Sequence, residues 1–117
     1  MAFIAQIAGD VKEGKSRELQ EWLEANEKDF ANAHPEGARY IGTYFAIYAA
    51  KGTGTVHTFI EMDSYGTQDV LAAAGKDPDS VYGKLLNEIV DFFDQQSNNY
   101  TQALYKSVTS ATLYGEG

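Results

Sequence analysis

Arg39-Tyr-Ile-Gly-Thr-Tyr-Phe-Ala-Ile-Tyr48 places a tyrosine at every fourth position and fills the gaps with glycine and alanine. In an extended strand, alternate side chains point to opposite faces. Tyr40, Gly42, Tyr44, Ala46 and Tyr48 then share one face, while Ile41, Thr43, Phe45 and Ile47 share the other. The second set is core material. The first alternates phenols with almost nothing, as a sheet does when it leaves room for a guest.

Lys51-Gly-Thr-Gly54 is a turn cluster, and Thr55 to Asp63 reads as the returning strand of a hairpin. A four-residue loop pairs Ala50 with Thr55, Tyr48 with His57, Ala46 with Phe59 and Tyr44 with Glu61. This register gathers Ile41, Phe45, Ile47, Val56, Ile60 and Met62 on one side. Tyr40, Tyr44, Tyr48, His57, Phe59 and Glu61 gather on the other, and a one-residue slip would mix the sets. On the first strand, Phe3 to Ala8, the core takes Phe3, Ala5 and Ile7, and Gln6 joins the tyrosine side. A last strand, Thr101 to Val108, brings Tyr105 as a further candidate for that side.

Three helical patterns complete the chain. Leu19, Trp22, Leu23, Asn26, Phe30 and Ala33 recur at helical spacing, predicting an amphipathic helix over 17–33 with Ser16 as N-cap and Pro35 beyond its end. Trp22 reads as a core anchor of this helix. His34 reads as a partner for its C-terminal dipole. After the hairpin, 67–74 predicts a short helix closed by Gly75. Asp77-Pro78 then opens a longer one with the buried stripe Tyr82, Leu85, Leu86, Ile89 and Phe93. The order strand, helix, strand, strand, helix, strand folds through right-handed crossovers into a four-stranded antiparallel sheet with its helices on one face. The expected fold class is therefore α+β, ferredoxin-like β-α-β-β-α-β. The expected organisation is a single domain over 1–117, with 109–117 as a C-terminal strand or tail.

Composition narrows the partners. With 17 acidic residues against 9 basic, the 117-residue chain carries a formal charge of −8. Nucleic-acid affinity rests on Lys and Arg neutralising phosphates, so neither a phosphate backbone nor an anionic membrane is an expected partner. The absence of cysteine removes thiolate metal ligands, disulfides and a cysteine nucleophile. His34 and His57 lie far apart in sequence with no metal-ligand spacing, and no serine sits in a glycine-flanked elbow. No metal and no cofactor are expected. Met1-Ala-Phe-Ile runs straight into a strand pattern without a basic, apolar leader, which makes the cytoplasm the expected compartment.

A sheet covered on one face only must be polar on the other, bind something there, or meet another sheet. His57 and Glu61 are the candidate catalytic acid–base residues there, each within reach of a cross-strand tyrosine. Gln6, Tyr40, Tyr44, Tyr48, Phe59 and Tyr105 are the candidate ligand-binding residues. Two functional readings stay open. The tyrosine face encloses a small apolar or aromatic molecule, with or without turnover, or it is an interface between two copies and nothing more.

Val11-Lys-Glu-Gly-Lys-Ser-Arg-Glu-Leu-Gln-Glu-Trp-Leu23 resembles the strand–turn–helix opening of the dimeric α/β-barrel superfamily. Phe59-Ile-Glu-Met-Asp-Ser-Tyr65 is similar to that superfamily's passage from third strand to second helix. The group includes antibiotic-biosynthesis-type monooxygenases, polyketide cyclases, stress-responsive barrel proteins and NIPSNAP-like proteins. The resemblance covers most of the chain, and its motifs specify shape. It implies a homodimer whose uncovered sheets meet around a lumen. It also implies cofactor-independent oxygenase, cyclase or isomerase chemistry on an aromatic or apolar substrate, with a non-catalytic assembly module as the alternative.

Overall fold

The computed structural model describes residues 3–47 and 55–108. Its elements are β1 (Phe3–Gly9), α1 (Ser16–Asn32), β2 (Ala38–Phe45), β3 (Val56–Met62), α2 (Thr67–Lys76), α3 (Val81–Val90) and β4 (Thr101–Lys106). The strands form one antiparallel sheet in the order β2-β3-β1-β4, as the ferredoxin-like reading requires. Expectations for Tyr48, for the 51–54 turn and for 109–117 fall outside the described residues. Among those described, no helix is long and apolar enough to cross a membrane.

Alternation along β3 sorts the sheet. Val56, Thr58, Ile60 and Met62 are buried, while His57, Phe59 and Glu61 between them are half-buried. The buried set faces the helices and divides between two adjoining cores. Phe3, Phe30, Ala38, Ile60, Met62, Leu71, Tyr82 and Leu85 form one. Leu19, Val56, Ile89 and Phe93 form the other, and Trp22 packs against both. Trp22 is the anchor its spacing predicts, and its indole Nε1 donates to Glu88 Oε1 at 2.8 Å, tying α1 to α3.

Helix ends depart from the sequence reading in instructive ways. Ser16 is the first residue of α1, Lys15 is its cap position, and no side chain caps it. The Lys15–Glu18 ion pair at 2.9 Å stands at that end instead. α2 runs through Gly75 to Lys76. Asp77 does not cap α3; its carboxylate accepts from the Asp79 N–H at 2.9 Å in the preceding turn. Ser80 is the cap, extended in backbone and accepting from the Gly83 N–H at 2.9 Å. Glycine is required at 83 because a Cβ there would run into the carbonyl oxygens of Asp77 and Ala74. α3 stops at Val90, and Phe93 reaches the core from a bridge with Val11 rather than from a helix.

The β2–β3 register is the principal correction. Phe45 pairs with Val56, Tyr44 with His57, Thr43 with Thr58 and Gly42 with Phe59. Relative to the four-residue loop, the strand has slid by an even number of positions, so Tyr44, His57 and Phe59 still share a face. A β-bulge then lies between Tyr40 and Gly42, and beyond it Tyr40 pairs with Ile60, Arg39 with Glu61 and Ala38 with Met62. One extra residue reverses the alternation. Tyr40 therefore goes to the helix side, Arg39 comes to the uncovered side, and Ile41 is 41% exposed in the bulge.

What holds the bulge is the environment of Tyr40. Its ring lies edge-on to Phe30 at 5.1 Å, and its hydroxyl donates to Glu27 Oε2 at 2.7 Å. The same oxygen lies 2.7 Å from Thr43 Oγ1, which is 2.9 Å from Thr58 Oγ1. Burial, reinforced by the Glu27 bond, raises the phenol above its ordinary range. A buried hydroxyl needs such partners, and the helix side supplies them.

Candidate functional site

The uncovered face carries Ile4, Gln6, Tyr44, His57, Phe59, Glu61 and Tyr105, together with Arg39. Tyr44 and His57 are direct cross-strand partners, Tyr105 stands opposite Ile4, and Gln6 opposite Phe59. Of the sequence-predicted site residues, Gln6, Tyr44, His57, Phe59, Glu61 and Tyr105 thus come together. Tyr40 is separated from them by the full thickness of the sheet.

The room left by Gly42 is already taken. A Cβ on Gly42 would lie 2.8 Å from the Tyr44 hydroxyl and 3.0 Å from its Cζ, so the tyrosine ring itself folds over the glycine. Its ring centroid is 5.9 Å from that of Phe59, and His57 stacks on Phe59 at 6.3 Å with 12° between planes. These side chains close on one another rather than around a hole.

Polar groups on this face are engaged as well. Gln6 Nε2 lies 3.2 Å from His57 Nδ1, an arrangement in which the amide donates to the ring nitrogen. A neutral imidazole so held carries its proton on Nε2 and offers an N–H, not a lone pair, to anything docked on the face. Glu61 accepts from Arg39 Nε at 3.1 Å, and Arg39 Nη2 reaches Asp63 Oδ1 at 2.7 Å. The carboxylate that sequence parity offered as a catalytic group is therefore one arm of an ion-pair triad. That triad exists only because the bulge delivers Arg39 opposite Glu61.

A cavity of about 600 Å³ lies on the helix side, between α2 and the outer half of the sheet. Its helical wall is one stripe of α2: Gln68, Leu71, Ala72, Gly75 and Lys76, spaced i, i+3, i+4, i+7 and i+8. Tyr82 and Leu86 of α3 add to it. The sheet supplies Ala5 to Ile7 of β1, Ile60 and Met62 of β3, and Gln102 to Leu104 of β4. Ile60, Met62, Leu71 and Tyr82 are buried, whereas Gln68, Ala72, Lys76 and Gln102 are exposed. The floor is apolar and the rim polar. Burial pushes the Tyr82 phenol up to about 12, so it is a neutral hydrogen-bonding group at any working pH.

Sequence reasoning passed over this cavity. The available signal was small residues where a core expects large ones: Ala72 and Gly75 on the sheet-facing stripe of α2, and Ala5 on β1. His34 was also under-read. Its Nδ1 lies 2.8 Å from the Phe30 carbonyl oxygen, to which it donates. The ring sits edge-on to both Phe30 and Tyr82 at 4.7 Å, and Nε2 is buried without a partner among the described residues. Burial lowers its pKa against the opposing pull of the Phe30 carbonyl.

No family description and no curated protein sequence matches the chain. Among solved structures, it is similar to an uncharacterized NIPSNAP domain protein from Burkholderia xenovorans. The two share 14% identity over 93% of this chain and 95% of that one, with a TM-score of 0.58. At that identity the likeness speaks for the ferredoxin-like fold and for no individual residue.

Proposed function

We propose that this domain binds a small apolar molecule beneath α2, on the helix side of its sheet. The observation that carries the reading is the cavity itself. Its volume of about 600 Å³ falls within the range of small-molecule sites. An apolar floor with a few polar rim groups is the usual architecture of such sites. The tyrosine face, by contrast, has its gap filled by Tyr44 and its ionisable groups paired. Its role in this reading is self-association. Ile4, Tyr44 and Tyr105, at 36%, 51% and 51% exposure, present apolar surface for the matching face of a second copy.

The experiment is a titration with N-phenyl-1-naphthylamine, an uncharged dye that fluoresces in apolar sites. Saturable binding of one dye per chain is expected, and Ala72→Trp, an exposed rim position, should abolish it without lowering the melting temperature. Binding that Ala72→Trp leaves unchanged would remove the cavity from the function.

A further inference from the structure

We propose that the guest beneath α2 is an amphiphile, an apolar body bearing one carboxylate, and that Lys76 is the residue that selects it. This rests on the cavity being the binding site. Lys76 is the one basic residue among those lining the cavity, and no Asp or Glu lines it. Three of the other cations lie beside carboxylates, while Arg17, Lys28, Lys84 and Lys106, like Lys76, have no ion pair among the described residues but stand outside the cavity lining. Lys12 lies 3.6 Å from Asp91, Lys15 2.9 Å from Glu18 and Arg39 3.1 Å from Glu61. Lys76 has no carboxylate partner among the described residues. Its sequence neighbour Asp77 does not supply one, because that side chain is turned to the Asp79 N–H at 2.9 Å.

The chain's charge of −8 does not decide against an anion. At physiological ionic strength, charges more than about 8 Å away are largely screened, so the total charge does not set the potential in the cavity, where Lys76 is the one charged residue of the lining. Gln68 stands at the opposite end of the lining stripe, about 12 Å from Lys76 along the helix axis at the standard rise. That distance suits a chain of about ten carbons, or a fused-ring system of similar length. With the carboxylate at Lys76, the body would lie over Ala72 and Leu71, against Ile60 and Met62.

Displacement of the bound naphthylamine dye by decanoate and by decanol tests the charge separately from the cavity. In the wild type, decanoate should displace the dye at concentrations about threefold to fivefold lower than decanol, the range of a solvent-accessible ion pair. Lys76→Gln should bring the two together by weakening decanoate more than it changes the affinity for decanol. Equal displacement in the wild type, or a gap that survives Lys76→Gln, overturns the carboxylate proposal and leaves the cavity reading standing. Dye binding indifferent to Ala72→Trp overturns both.

Discussion

The two faces of this sheet carry the same three aromatic residue types and treat them differently. On the covered face, Tyr40 of β2 and His34 of the preceding loop both pack edge-on to Phe30 of α1, and the Tyr40 hydroxyl is bonded to a carboxylate. On the uncovered face, Phe59, Tyr44 and His57 also stack, yet Tyr44 stays half exposed. The first trio is held from above and below, and it specifies the fold. The second is held from below only.

The phenylalanines give the largest test. Phe30 is fully buried, so Phe30→Ala should cost about 3–5 kcal/mol in chemical denaturation. Phe59→Ala should cost roughly 1 kcal/mol in a dilute monomer, because only part of its surface leaves water on folding. If the uncovered face joins two copies, the wild-type melting temperature will rise with protein concentration and Phe59→Ala will suppress that rise. A concentration-independent wild type breaks the self-association half of the reading.

The tyrosines come next. Removing the hydroxyl from Tyr40 takes a donor from Glu27 and leaves Thr43 with Thr58 alone, and Tyr40→Phe should destabilise by about 1–2 kcal/mol. The same change at Tyr44, whose ring is half exposed, should be within about 0.5 kcal/mol of neutral. Equal effects would mean that the bulge does not place the two phenols on opposite sides.

The smallest effect concerns the histidine of the covered side. The folded-state pKa of His34 lies below its ordinary value of 6.5, so the unfolded chain takes up a proton more readily. Stability is then greatest above 6.5 and declines as pH falls from there toward the folded value. Melting temperatures from about pH 7.5 to about pH 5.5 should fall more steeply in the wild type than in His34→Phe, which keeps a ring against Phe30 and Tyr82. Parallel slopes would show that the ring is not buried as neutral imidazole.

Much of this was legible in advance, and the misses have identifiable causes. Alternation puts Tyr44, His57 and Phe59 on one face even in the four-residue-loop register, because sliding a strand by an even number of residues preserves its alternation. Tyr40 and Arg39 change faces because a bulge alters parity, and the contacts that hold it, to Phe30 and Glu27, come from the preceding helix packed on the sheet. Ser80 displaced Asp77 as the cap of α3 because the turn between them engaged Asp77 first.

Hydrophobic period and element order determined the antiparallel sheet, its helical layer and the division between core and surface along β3; around β2 that division failed, with Ile41, Phe45 and Ile47 exposed where the period expects core. The features so determined are local properties, written in spacings of two and of three to four residues along the chain. Only the tertiary structure decided that Tyr44 fills the gap beside Gly42, that Arg39 takes hold of Glu61, and that a cavity opens beneath α2. The first depends on the strand's conformation beside the bulge; the other two depend on the distance between separate elements, which is set by how side chains from several of them fill a shared volume.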